Sequence, residues 1–120
     1  MIRRGEIYLV DFGKRYHSEL GKIRPAVVMQ NDFINRAISE ENTAFKGVVV
    51  MPLTTQLTGG DYRLRIEPRG RLEKESEIVA HWVCTVDLSR FDLAGGKLAT
   101  LALAEMDRLV GMMMGVVGAT

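Results

Sequence analysis

The stretch "GKIRPAVVMQND", residues 21–32, decides how the chain is read. Ala26 to Met29 form an apolar run without polar interruption, the pattern of a strand buried on both faces. Pro25 fixes its own φ and disfavours the helical region at Arg24. Arg24 is therefore expected to be held extended at the entrance of a buried strand, with little freedom to wander. Asn31 and Asp32 are helix-capping types, so a short helix is expected within "NDFINRAISEEN".

Outward from this stretch, strand-like runs dominate. "EIYLVDF" (6–12) is rich in β-formers, and "GVVVMPL" (47–53) is a second continuous apolar run. "DYRLRIE" (61–67) alternates Tyr62, Leu64 and Ile66 with Arg63, Arg65 and Glu67, as a half-buried strand does. "EIVAHWV" (77–83) reads as another buried strand, with His81 inside it. From Thr100, a plausible N-cap, the period changes: Ala102, Met106, Leu109, Val110, Met113 and Val117 recur at helical spacing. Met112 and Met114 fall outside that stripe, which makes the helix more apolar than one core face requires; a broad core contact would explain this, and a subunit interface is the reading favoured. Five strands and a terminal helix predict a mainly β, α+β domain: a small, strongly curved barrel with a C-terminal α-helix.

A chain of 120 residues is one domain over its whole length, 1–120. Its net charge of +1 excludes a polybasic tail, yet eleven of its sixteen cations are Arg, the type suited to bidentate contacts with phosphate. Arg63, Arg65, Arg69 and Arg71 fall within nine residues; a solvated strand and turn would explain them equally well. Cys84 is alone, so neither an intramolecular disulfide nor a zinc cluster can form, and a small buried thiol is expected. The N-terminus has no long apolar signal core and "LVGMMMGVVGA" is too short to span a bilayer, so a cytoplasmic protein without membrane contact is expected.

Metal chemistry has little to work with: His17 and His81 are the only histidines, and no HExxH-type spacing exists. No GxSxG elbow or glycine-rich phosphate loop occurs, so neither metal nor cofactor is expected. What remains is a polar set at strand ends: Arg24, then Thr54 and Thr55, then His81. Arg offers fixed positive charge, Thr a hydroxyl donor, His a proton shuttle near neutral pH. That set suits metal-free phosphodiester cleavage, in which a ribose 2′-OH attacks its own phosphate. The plainer readings are an ion pair of Arg24 with Glu6 or Glu19, and a core histidine at 81.

"RRGEIYLVDF", "SELGKIRPAVVMQND" and "VVVMPLTTQ" together resemble the MazF/PemK family of toxin endoribonucleases of type II toxin–antitoxin systems. The resemblance includes the RGEIY opening, the E-x-x-G-x-x-RP segment, the ND-x-x-NR continuation (Asn31, Asp32, Asn35, Arg36) and a strand ending in Thr, in that order. "VDLSRF" (86–91) is similar to the family's TID-x-x-R-[LI] segment. The resemblance implies an SH3-like barrel homodimer that cuts single-stranded RNA, chiefly mRNA, at short sequences. It also implies 2′,3′-cyclic phosphate and 5′-OH ends, and neutralisation by a cognate antitoxin. Arg24 matches the family's catalytic Arg and Thr54 its catalytic Thr. Glu19 and Gly21 sit where the family has its own Glu and Gly. His81 and Cys84 depart from it: relatives often carry an acid at the first position and an Arg at the second.

An Arg with a pKa above about 12 is a poor base, so Arg24 is assigned to charge stabilisation. His81 is the candidate base if it faces the groove. The first loop (13–23), with Ser18, Glu19 and Lys22, and "TTQLTGG" (54–60), with Thr55 and Gln56, are expected to flank the groove. Arg63 and Arg65 are expected to reach RNA or an acidic, disordered antitoxin segment. Tyr16, Phe33 and Tyr62 are candidate stacking platforms. Two other readings are open: a non-catalytic RNA-binding module, and a gyrase-poisoning toxin of the CcdB type on the same fold, for which the tail has no aromatic residue.

Overall fold

The structure, a computed structural model, describes residues 1–13, 22–40 and 46–119. In chain order the elements are β1 (Glu6–Asp11), β2 (Ile23–Val28), α1 (Asp32–Glu40), β3 (Gly47–Thr54), β4 (Arg63–Ile66), β5 (Ser76–Val79), β6 (Cys84–Asp87), β7 (Ala99–Thr100) and α2 (Leu103–Val116). Every strand pairing is antiparallel. The sheet runs β4-β5-β3-β2-β1-β7, with β6 also on β3. It curls into a half-open barrel with α2 against it.

The two apolar runs are buried on both faces, as their composition requires. Ile7, Val27, Met29, Met51 and Leu53 pack in one core with β4, β5 and α2. Their alternate neighbours Tyr8, Val10, Ala26, Val28, Val48 and Val50 pack in a second core with Ile2 and Phe91. Helix α1 begins where the capping types stand, with the Ile34 amide donating to Asn31 Oδ1 at 2.9 Å. Asp32 accepts from the Arg4 amide at 2.7 Å, which ties the helix to the N-terminus and holds its carboxyl below the usual range. Asn35 is fully buried and exchanges hydrogen bonds with Gln30.

Three expectations fail locally. The run 77–83 is not one strand: β5 ends at Val79, a 3-10 turn covers Ala80–Trp82, and β6 starts at Cys84. That turn carries the chain from one partner stretch of β3 to another, since β5 pairs with Leu53–Thr54 and β6 with Gly47–Val50. Thr100 belongs to β7 and Ala102 precedes the helix, its amide donating to Glu105 at 2.9 Å. Met112 of α2 packs against the core, while Val117 is exposed because it lies just past the helix end. Gly70 has φ +55°, and a Cβ there would meet the Leu98 carbonyl oxygen at 2.5 Å, so the turn before β5 lies directly on the chain entering β7.

Candidate active site

Strands β2 and β3 are zipped only from Ala26↔Pro52 to Val28↔Val50. Beyond Pro52, β3 pairs with β5 on its other edge, and Ile23–Pro25 pair with β1 alone. The Met29 amide donates to the Val49 carbonyl, so the next rungs of this ladder fall at Val27↔Met51 and at Pro25 opposite Leu53; Pro25 has no N–H to give there, and the strands part. Continuing the register two steps past Ala26↔Pro52 sets Arg24 opposite Thr54, at the mouth of the wedge. The wedge is a cleft of about 490 Å³, and both residues line it.

Four cations and one carboxylate line this cleft: Lys22, Arg24, Arg71, Lys74 and Glu73. Lys22 stands in the left-handed region (φ 59°), where its amide donates to the Gly13 carbonyl at 2.7 Å. Thr54 is buried to 9% exposure, and its Oγ1 accepts from the Gln56 amide at 3.1 Å. Its own hydroxyl proton can therefore be donated into the cleft. Thr55 and Gln56 complete that wall. Of the expected site residues, Arg24, Thr54, Lys22, Thr55 and Gln56 come together; Ser18 and Glu19, with Tyr16, His17 and Gly21, lie outside the described residues.

His81 is not brought to the cleft. It sits exposed on the 3-10 turn and is not among the lining residues, whereas its neighbour Trp82 is. Arg63 and Arg65 do not line it either. Both bind Glu77, at 2.9 and 3.1 Å, and both donate to carbonyls of the loop after β3. The Glu77 side chain is only 1% exposed. Burial opposes its ionisation, but hydrogen bonds from Arg63, Arg65 and the Gly59 amide outweigh this and hold its carboxyl below the usual range. Arg69 is spent on Glu105 at 2.6 Å and Arg71 on the Lys97 carbonyl at 2.7 Å. The arginine cluster is mostly internal scaffolding. Glu6 is likewise occupied, by the Arg3 amide, Tyr8 and Lys97. Phe33 and Tyr62, both exposed, are not cleft residues.

Trp82 is the residue that sequence reading missed. Its ring centroid lies 5.3 Å from the Arg24 guanidinium carbon and 5.7 Å from that of Arg63. A signal existed: it is the sole Trp and it adjoins the polar His81 inside an apolar run. Among the described residues no three His, Cys, Asp or Glu side chains cluster as a metal site would. Cys84 is half-buried and reduced, and burial raises its thiol pKa.

A half-open barrel whose parted strands present Arg, Thr and further cations defines a class: small barrels with a cationic cleft. The chain belongs to the PemK-like, MazF-like toxins of type II toxin–antitoxin systems, whose family model matches residues 3–113. It is 28% identical over 118 residues to the endoribonuclease MazF of Staphylococcus epidermidis, covering 96% of this chain and 92% of that one. The MazF of Staphylococcus saprophyticus is 27% identical over the same length and coverage. The fold is shared with MazF of Deinococcus radiodurans (TM-score 0.76, 18% identity, 98% and 96% coverage). It is shared also with a mycobacterial endoribonuclease solved in complex with its cognate antitoxin (TM-score 0.73, 21% identity, 100% and 98% coverage).

Proposed function

We propose that this chain is a toxin endoribonuclease that cuts single-stranded RNA without a metal, by attack of a ribose 2′-OH on the adjacent phosphate. The observation that carries the reading is Arg24 standing across from Thr54 at the point where β2 and β3 part, inside a cationic cleft. A single RNA strand presents phosphates at a spacing a narrow cleft can track, and unpaired bases that the walls can read. Arg24 stabilises the charge that grows on the phosphate oxygens. Thr54 donates a hydrogen bond beside it. The leaving 5′-oxygen departs as a hydroxyl and the phosphate closes to a 2′,3′-cyclic ester. Proton transfer belongs to the groups of the cleft, whose described titratable members are Lys22, Glu73 and Lys74, and not to His81.

The relatives' antitoxin complexes support a second part of the reading: a cognate antitoxin with an acidic segment occupies the same cationic cleft and blocks RNA. A homodimer acting in the cytoplasm on mRNA completes it. No helix among the described residues is long and apolar enough to cross a membrane.

The test is cleavage of a long RNA with mapping of its new ends. Wild-type protein should give 5′-OH and cyclic phosphate ends at a short recurring sequence in the presence of chelator. Arg24→Ala and Thr54→Val should each lose about 10²–10³ in rate while remaining folded, the scale of one lost transition-state contact. Cleavage at the wild-type rate by folded Arg24→Ala would overturn the assignment.

A further inference from the structure

Two guanidinium groups share the one indole of this chain. Arg24 comes from β2 and Arg63 from β4, with β3 and β5 between them in the sheet. Two cations on one ring repel each other, so the arrangement needs a counter-charge close by. Glu77 supplies it: the buried carboxylate bonds Arg63 at 2.9 Å and remains ionised. Arg63 also donates to the Gln56 carbonyl at 3.1 Å, on the cleft wall just past Thr54. The anchored Arg63 thus fixes one side of Trp82, and Trp82 presents its π system to Arg24.

Resting on the endoribonuclease reading above, we infer that Trp82 is a positioning residue for Arg24: the indole, clamped by the Glu77–Arg63 pair, holds the guanidinium in the pose that meets the phosphate. A guanidinium on a long stem has many rotamers, and electrostatic stabilisation of a transition state requires the charge to be in place beforehand. An aromatic face restricts the group without neutralising it, as a carboxylate partner would. The half-buried ring sits at the inner end of a turn whose preceding residue, His81, is exposed.

Because the chain has one Trp, its fluorescence reports on the surroundings of this ring, whether or not RNA is cut, and the Arg24→Ala comparison isolates the Arg24 contact. Three measurements on the full-length protein test the inference. Arg24→Ala should change the emission maximum or yield of Trp82 in the absence of RNA. Trp82→Leu should lower kcat by about ten- to thirtyfold with KM for a short RNA substrate within about threefold, the scale of one desolvated cation–π contact. Trp82→Phe, which keeps a smaller π face, should recover most of that loss. Emission that is identical in wild type and folded Arg24→Ala would overturn the inference, as would wild-type kcat in folded Trp82→Leu. So would a loss confined to KM, which would make Trp82 a base-stacking platform. If wild-type protein cuts no RNA, the functional reading fails, while the fluorescence comparison still decides the Arg24–Trp82 contact.

Discussion

Lysine in place of Arg24 keeps one positive charge and loses the planar fork that spans two phosphate oxygens. It also forfeits the flat face that lies against Trp82. Arg24→Lys should therefore cut RNA nearly as poorly as Arg24→Ala, within about tenfold of it; rates near wild type would show that charge alone suffices. The residue beside that indole behaves differently. His81 faces solvent on its turn, so His81→Gln should stay within a few-fold of wild type and leave the pH–rate profile unshifted. A loss of about 10² would place an imidazole on the reaction path.

At the scale of elements, the join between β4, β5 and the loop after β3 rests on one carboxylate. Glu77 takes Arg63, Arg65 and the Gly59 amide, all while nearly inaccessible. Removing one member of a buried, hydrogen-bonded pair typically costs about 3–5 kcal/mol. Glu77→Gln should lower the stability measured by urea unfolding by about 3 kcal/mol, with the m-value unchanged; a cost under about 1 kcal/mol would mean that the pair is solvent-screened. The same group sets an acid limit. In the folded chain Glu77 titrates below its value in the unfolded chain, so the folded state holds fewer protons in that window. Its contribution is complete above the ordinary carboxylate range, roughly pH 4–5, and is lost as pH falls through the depressed folded value. Asp32 and Glu105, also depressed, add to it. Thermal melts should hold steady near neutrality and fall below about pH 4, and Glu77→Gln should make that fall shallower.

For the whole molecule, the exposed apolar residues of α2 are the outstanding feature. Leu103 and Met114 on α2 and Val117 just past its end are 72%, 40% and 70% exposed, while Met106 and Leu109 are spent on the core. Apolar surface of this kind is normally covered by a partner. Light scattering at micromolar concentration should give about twice the chain mass, and Leu103→Glu with Met114→Glu should shift that mass toward the monomer. A monomeric wild-type protein would remove the dimer from the proposal. The cleft's excess of cations makes a second expectation. RNA affinity should fall steeply between about 50 and 200 mM salt, and an acidic antitoxin peptide should compete for the same site. Salt-independent binding would exclude a phosphate-dominated contact.

Much of this architecture was legible in the residues. Short uninterrupted apolar runs rich in β-branched residues read as strands covered on both faces, and the structure has them there, in two cores. Asn31 and Asp32 announced α1, and Pro25 placed Arg24 at a strand entrance. Local chemistry was enough for these because each depends on neighbours within a few residues. The ends of elements were less legible: 78–83 is apolar apart from His81, yet breaks into strand, turn and strand because β3 offers two different stretches of edge. The four close-set arginines could not be assigned either. Their sequence shows charge, but whether a guanidinium meets phosphate or Glu77 depends on what the sheet brings beside it. The same holds for Trp82 and Arg24, 58 positions apart. Residue types and periodicity pointed to the barrel and to a polar set of Arg24, Thr54, Thr55 and His81, from which the family resemblance singled out Arg24 and Thr54. Only the tertiary structure, by parting β2 from β3 at Pro25, decided which side chains share the cleft, since such contacts arise from long-range register that no local pattern encodes.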